Sequence, residues 1–463
     1  MKRRRRGGRN TTVLNIAPAG RYTQSPMPQT EHTIITELAH RVLPDWQKAL
    51  LTEQRVLLIQ EYCRLPDFYW DVRGKGHKQA APYAFKTDGV VFHYLPDTPI
   101  APAYRYQVAD PEAQVLRPLM PYENPHWHHA TAGFRYYATQ AIEAMQAGDW
   151  ERGCAFAGWL IHVLQDHSFG IHSLEGPYGT DVFLLHRLFP DSENPEHDPA
   201  VILRQPTAPP TATELRSYVP RLLGYHPDEI AFTLFSRHVE CTLAARRMCH
   251  QIVVNARMDR ADLNAPLFAE MYRGAITITA DTLFTLIGVA SQRVNNSTAH
   301  LETVHLSQAE PYQRPWLTVP PYWTRDYTVG HALDNGGRRI PLQLRLPPRN
   351  IPVTFSKGMA VGGHYWSTLS YEIPRDTYAA FDCALGQHAL FSTRTGEVHL
   401  TLKAGSTILF DEVMKGTDPA AVLHADNPEG RLSLTLQTRD GLDANMHHII
   451  WADPVLKRLP APF

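Results

Sequence analysis

Five cysteines in 463 residues (Cys63, Cys154, Cys241, Cys249 and Cys383) are scattered and odd in number. They argue neither for a disulfide scaffold nor, with no C-x-x-C pair, for a thiolate zinc site. An excess of either charge is also missing. Lys and Arg total 45 against 46 Asp and Glu, a net charge of −1, so no global field points to nucleic acid or a membrane surface. The local exception, KRRRRGGR at 2–9, reads as part of a flexible leader over residues 1–26. No apolar run approaches the length of a membrane span. The basic run continues into NTTVLNIAPAG, which has no continuous apolar segment of a secretory signal.

What the chain has is histidine. Of 24 in all, eight (His126, His128, His129, His162, His167, His172, His186 and His197) fall within 72 residues. The stretch WLIHVLQDHSFGIHSLEG, from Trp159 to Gly176, sets His162, Asp166 and His172 in an H-x-x-x-D-x-x-x-x-x-H array. One helical turn separates His162 from Asp166, so both project from one face, and Gly170 is placed to turn the chain back before His172. A His–Asp pair at this spacing is also a common solvated hydrogen-bonded pair. The local density favours ligation of a cation such as Zn²⁺.

At this length one ordinary domain is exceeded. The spacing of Ile34, Ile35, Leu38, Val42 and Leu43 predicts a helix from Glu31, ended by Pro44. Residues 64–125, rich in Pro, Tyr and Asp, read as a long irregular segment, and such segments are commonly functional. A helix over 130–147 carries the stripe Phe134, Tyr137, Ala138, Ala141 and Met145. After a break at Gly148-Asp149 comes the helix of His162 and Asp166. Pro-rich residues 190–212 form a loop, and helices are expected to continue to about 305, including ELRSYVPRLL (214–223) and Ile276–Ile287. Past the junction PYQRPWLTVPPYW the period becomes two, as in VHLTLKAGSTILFDEV and RLSLTLQTRDG, which predicts an all-β sandwich. The expected domains are therefore 27–310, helical and carrying the chemistry, and 311–463.

These motifs resemble the zinc-dependent phospholipase C and single-strand nuclease superfamily. That family is all-α, holds three zinc ions, and centres on an H-x-x-x-D helix followed six residues later by His. GDWERGCAFAGWLIHVLQD resembles its helix leading into the motif. EHTIITELA resembles its early H-x-x-I-x-x-x-A helix, RLPDFYWD its P-D loop, and PHWHHATAGFRYY its T-H-W segment. The closest flavour is the N-terminal domain of glycosylphosphatidylinositol phospholipase D. The match covers about residues 27–195. It implies that His126, His162, Asp166 and Asp67 hold one zinc, that Asp166 bridges to a second also bound by His32, and that His172 and His186 anchor a third. His93 in VFHYLPD, His128 and His129 compete with His126. Position 190 is Pro where the family often has Glu, leaving Asp181, Asp191 or Glu175 as substitutes, and the family's N-terminal Trp ligand has no visible counterpart. Read singly, His32 fits a histidine near a helix start, Asp67 a turn residue and His186 a core histidine.

FSKGMAVGG, YEIPRDTYAAFDCALG, GEVHLTLKAGSTILFDEVMKGTDPAAV and HHIIWADPVL resemble the NPCBM family of carbohydrate-binding modules, which implies a jelly-roll-like sandwich and a glycan ligand. The two resemblances together imply a phosphodiester hydrolase with two or three zinc ions, Asp67 and Asp166 in catalytic roles, and a phospholipid or glycolipid head group as substrate. Two other readings stand beside it. One is a single-strand nuclease using Tyr69, Trp70, Trp127 and Tyr136 to stack bases, with nucleic acid as partner. The other is a glycan-binding protein without catalysis. An extracellular or periplasmic location follows from the resemblance, although no signal peptide is visible.

Overall fold

Thr30 opens the first helix with a reciprocal cap. Its hydroxyl accepts from the Thr33 amide, and the Thr33 side chain accepts from the Thr30 amide. The computed structural model describes residues 30–64, 86–87, 90–91, 129–170, 173, 197–204, 209–211, 213–294, 300–311, 327–334, 338–362, 366–390, 397–438 and 448–459. Helix α1 runs over Glu31–Val42 and stops before Pro44, with α2 (Asp45–Leu50) and α3 (Arg55–Gln60) following. A 3₁₀ turn at Tyr62–Arg64 ends this stretch. Helix α4 (His129–Gln146) buries all five residues of its expected stripe. Gly148, at φ 82, makes the left-handed turn into α5 (Trp150–Ser168), where Asp149 caps the Arg152 amide. Every residue of α5 from Gly153 to Ser168 is buried, which makes it a central helix of the bundle. Short α6 (Pro199–Leu203) precedes the long pair α7 (Pro227–Arg257) and α8 (Ala265–Ala290).

Three sequence expectations are corrected. First, the helical stretch Ala261–Ala290 holds an 18-residue window apolar enough to cross a membrane by length and composition, at mean hydropathy 1.2. Within the fold 78% of that window is buried, so its hydrophobicity serves the bundle core. Second, ELRSYVPRLL forms turns and extended backbone. Pro220 lacks a donor, and the amides of Arg221 and Leu223 donate to Asp281 Oδ1 (2.8 Å) and Thr285 Oγ1 (3.0 Å) of α8, so they are not available to a local helix. Third, α8 ends at Ala290, and Thr303–His305 is a strand, β3, followed by a 3₁₀ turn at Leu306–Gln308. Of the long irregular segment, the described residues beyond Arg64 form a two-stranded ladder, β1 (Lys86–Thr87) with β2 (Val90–Val91).

The helical part is followed by a β part. One sheet has the order β10 (Trp366–Ile373), β15 (Gly430–Thr438), β12 (Val398–Ala404), β13 (Thr407–Met414). The other runs β14 (Ala421–Asp426), β11 (Tyr378–Gln387), β16 (His448–Arg458), β9 (Gly358–Gly362), β4 (Tyr327–Val329), with β3 pairing β16. Two short ladders join β5 (Ala332–Leu333) to β6 (Arg339–Ile340) and β7 (Leu342–Leu346) to β8 (Ile351–Phe355). Alternation decides the inner face: Leu400 and Leu402 lie opposite Leu436 and Leu434. They join Met359, Val361, Phe381 and Trp451 of the other sheet in one buried cluster. Phe232 of α7 enters the same cluster. At this junction buried Arg458, at the end of β16, pairs with buried Glu229 of α7 and donates to the carbonyls of Leu222 (3.2 Å) and Leu223 (3.1 Å).

Candidate metal centre

Among the described residues, His32, His162 and Asp166 are brought together, with one ligand atom from each lying within 4.8 Å of the others. Helix α5 supplies His162 and Asp166 from adjacent turns, and α1 supplies His32. His162 Nε2 lies 3.1 Å from Asp166 Oδ2, and His32 Nε2 lies 3.2 Å from Asp166 Oδ1. The two imidazoles stack with centroids 4.2 Å apart and planes at 22°. His162 and Asp166 are buried, and the His32 side chain is 14% exposed on the rim of a cavity of about 330 Å³. Glu31, Ile35, Phe169, Leu203 and Arg204 contribute to the cavity lining.

The packing that creates this geometry starts at Gly158. A Cβ there would stand 2.5 Å from Tyr62 Cβ and 2.6 Å from Tyr62 C, so only glycine lets the Tyr62–Arg64 turn approach α5. That approach puts the carbonyl oxygen of Cys63 2.8 Å from His162 Nδ1. His32 Nδ1 meets Gln165 Oε1 at 2.8 Å, and Gln165 Nε2 reaches Thr36 Oγ1 (2.9 Å) and Thr279 Oγ1 (3.3 Å).

This arrangement fits a cation. A backbone carbonyl only accepts, so His162 carries a hydrogen on Nδ1, and in the neutral ring Nε2 carries a lone pair. That lone pair faces a carboxylate oxygen at 3.1 Å in a buried site, a repulsive contact unless a positive charge lies between them. Protonating both rings would stack two imidazolium cations at 4.2 Å. Neighbouring ligand atoms in a tetrahedral zinc shell are about 3.3 Å apart for bonds of about 2.0–2.1 Å, close to the 3.2 and 3.1 Å found here.

Asp67, His93, His126, His128, His172 and His186 lie outside the described residues, as do Asp181, Asp191 and Glu175. His129 begins α4, but its side chain is not among those described. His167, next to Asp166, turns to the other side of α5, where its Nδ1 is 3.1 Å from His238 Nε2 of α7. Of the aromatic residues considered for base stacking, Tyr69, Trp70 and Trp127 lie outside the described residues. Tyr136 is half-buried and packs edge-on against Tyr137 (5.4 Å) and Phe156 (6.1 Å), as part of the core. All five cysteines are buried, and burial pushes the thiols of Cys154 and Cys249 up to about 12, which removes them as nucleophiles. Sequence reasoning missed Gln165, Thr36, Thr279 and the Cys63 carbonyl. The available signal was polar residues on otherwise buried helix faces, Gln165 beside Asp166 and Thr36 one turn after His32.

No family model matches the chain, and no curated protein does so. Among solved structures, the CBM51-2 and INT domains from Clostridium perfringens ZmpB are 18% identical at TM-score 0.27, over 34% of this chain and 31% of that one. CBM51 from Clostridium perfringens GH95 in complex with methyl-galactose is 18% identical at TM-score 0.26, over 34% of this chain and 99% of that one. Alpha toxin from Clostridium absonum is 9% identical at TM-score 0.32, over 94% of this chain and 95% of that one. At TM-scores below 0.5 these likenesses assign neither fold nor function.

Proposed function

We propose that the chain is a zinc-dependent phosphodiester hydrolase of the phospholipase C type, acting on a phospholipid or glycolipid head group, with a glycan-binding C-terminal domain over 311–463. The supporting observation is the buried convergence of His32, His162 and Asp166, with the His162 lone pair turned onto the carboxylate. Asp166 offers a different oxygen to each histidine, as suits a carboxylate shared between two cations. On this reading His162 and Asp166, with Asp67 and His126, serve one zinc, and His32 with Asp166 serves a second. His172 and His186 serve a third.

When bound, such cations supply Lewis acidity toward the phosphodiester oxygens and a water acidified toward neutral pH. The chain's own residues supply position. Asp166 holds the two histidines at a fixed separation, Cys63 and Gln165 orient their rings, and the adjoining cavity admits substrate beside His32. Asp67 is assigned as ligand or general base.

The test is hydrolysis of phosphatidylcholine and phosphatidylinositol vesicles by the full chain, followed as release of the phosphorylated head group. Activity abolished by a chelator and restored by zinc supports the reading. A zinc-loaded protein that cleaves single-stranded DNA and leaves both lipids intact rejects it in favour of a nuclease.

A further inference from the structure

Gln165 is 1% exposed and reaches three partners on two other helices: His32 and Thr36 of α1, and Thr279 of α8. Its amide can take either of two senses. With Oε1 toward His32, the oxygen accepts the Nδ1 hydrogen, and the ring's Nε2 lone pair points at Asp166 Oδ1 and at any cation held there. With the NH₂ group toward His32, the amide donates to Nδ1. The ring hydrogen then moves to Nε2 and donates to Asp166 Oδ1, 3.2 Å away. The threonine hydroxyls can accept or donate, so both senses keep the contacts to His32, Thr36 and Thr279 without moving a heavy atom, the second giving up the acceptor of one amide hydrogen. His162 has no such freedom, because the Cys63 carbonyl only accepts.

We propose that Gln165 is a positioning residue that sets the tautomer of His32, its amide turning between a cation-free sense, with hydrogen on Nε2, and a loaded sense, with hydrogen on Nδ1. This rests on the metal reading above. It adds that one histidine of the pair is permanently set for ligation while the other is switched by a neutral side chain. No proton enters or leaves the site in the exchange. The ring hydrogen moves from one nitrogen to the other, and the amide inverts its donor and acceptor.

The test combines calorimetric titration of zinc into the chelator-stripped full chain with nitrogen-15 imidazole spectra of His32, with and without zinc. In the wild type, the His32 hydrogen is expected on Nε2 without zinc and on Nδ1 with it. Gln165→Met, close in shape and unable to accept or donate through an amide, is expected to weaken zinc binding about 10–100-fold. Gln165→Glu keeps the acceptor oxygens and should bind zinc within about threefold of wild type. Its carboxylate should also hold the hydrogen on Nδ1 even without zinc. An unchanged affinity in Gln165→Met, or a wild-type tautomer that zinc does not alter, overturns the proposal. If the wild type takes up no zinc, the metal reading itself fails, and the cation-free spectra still decide the role of Gln165. A hydrogen on Nε2 in Gln165→Glu contradicts it, including where Gln165→Met does not fold.

Discussion

His162 donates its Nδ1 hydrogen to the carbonyl oxygen of Cys63, 99 residues earlier in the chain, at 2.8 Å. Because a carbonyl cannot donate, this one bond leaves the lone pair of the neutral ring on the opposite nitrogen, which faces Asp166. On the metal reading proposed above, this arrangement prepares the site for a cation.

Gly158→Ala tests the contact behind that bond. The new methyl would meet the Tyr62 backbone at 2.6–2.7 Å, so the Tyr62–Arg64 turn must withdraw from α5 and carry the Cys63 carbonyl with it. Overpacking of this kind costs about 1–3 kcal/mol. Denaturant unfolding should show that loss, and zinc titration should show a weaker affinity in the same variant. A variant with full affinity and wild-type stability would show that the approach at Gly158 is not needed.

Asp166→Asn should separate stability from ligation. An amide NH₂ can donate to the lone pair of His162 Nε2, replacing a repulsive contact with a hydrogen bond of about 1 kcal/mol. The cation-free variant is therefore expected to melt no lower than wild type, while the stabilisation of wild type by added zinc disappears. Thermal melts with and without zinc check both halves.

Acid stability should be set in part by His238. Burial, with Arg246 adding to it, lowers its imidazole from 6.5 to about 3, so the folded chain holds it neutral while the unfolded chain protonates it. Stability is full above pH 6.5 and falls as pH drops from there toward 3, at about 1.4 kcal/mol per pH unit for this group. His40, lowered to about 4 chiefly by burial, acts in the same direction. Urea midpoints measured from pH 7 to 4 should fall less steeply in His238→Gln than in wild type.

Arg458 and Glu229, both buried, join the last strand of the β part to the start of α7. Removing either partner alone leaves a buried charge, so Arg458→Met and Glu229→Gln should each destabilise by about 3–5 kcal/mol. The double variant should cost clearly less than their sum. A double-mutant cycle from chemical denaturation gives the coupling, and additive losses would show that the pair does not act as one unit.

The helical and β parts were legible because each carries its own period. The stripe Phe134 to Met145 and the alternation around Leu400 and Leu434 both face buried cores. His162 and Asp166 were legible because one helical turn necessarily puts them on one face, and His32 came from a motif resemblance. ELRSYVPRLL was misread because its amides bond to Asp281 and Thr285 about sixty residues away, a partnership local pattern does not encode. Gln165 was missed for a related reason. Its importance comes from His32, Thr36 and Thr279 on other helices, and nothing next to it in sequence announces them.

The central claim is that His32, His162 and Asp166 hold zinc, and elemental analysis of the purified full chain measures it most directly. The account predicts two or three zinc ions per chain in the wild type, and a fall in His162→Ala and in Asp166→Ala preparations that remain folded by circular dichroism. A wild-type chain that carries no zinc after expression and purification in zinc-supplemented medium contradicts it, and so does an unchanged zinc content in both variants.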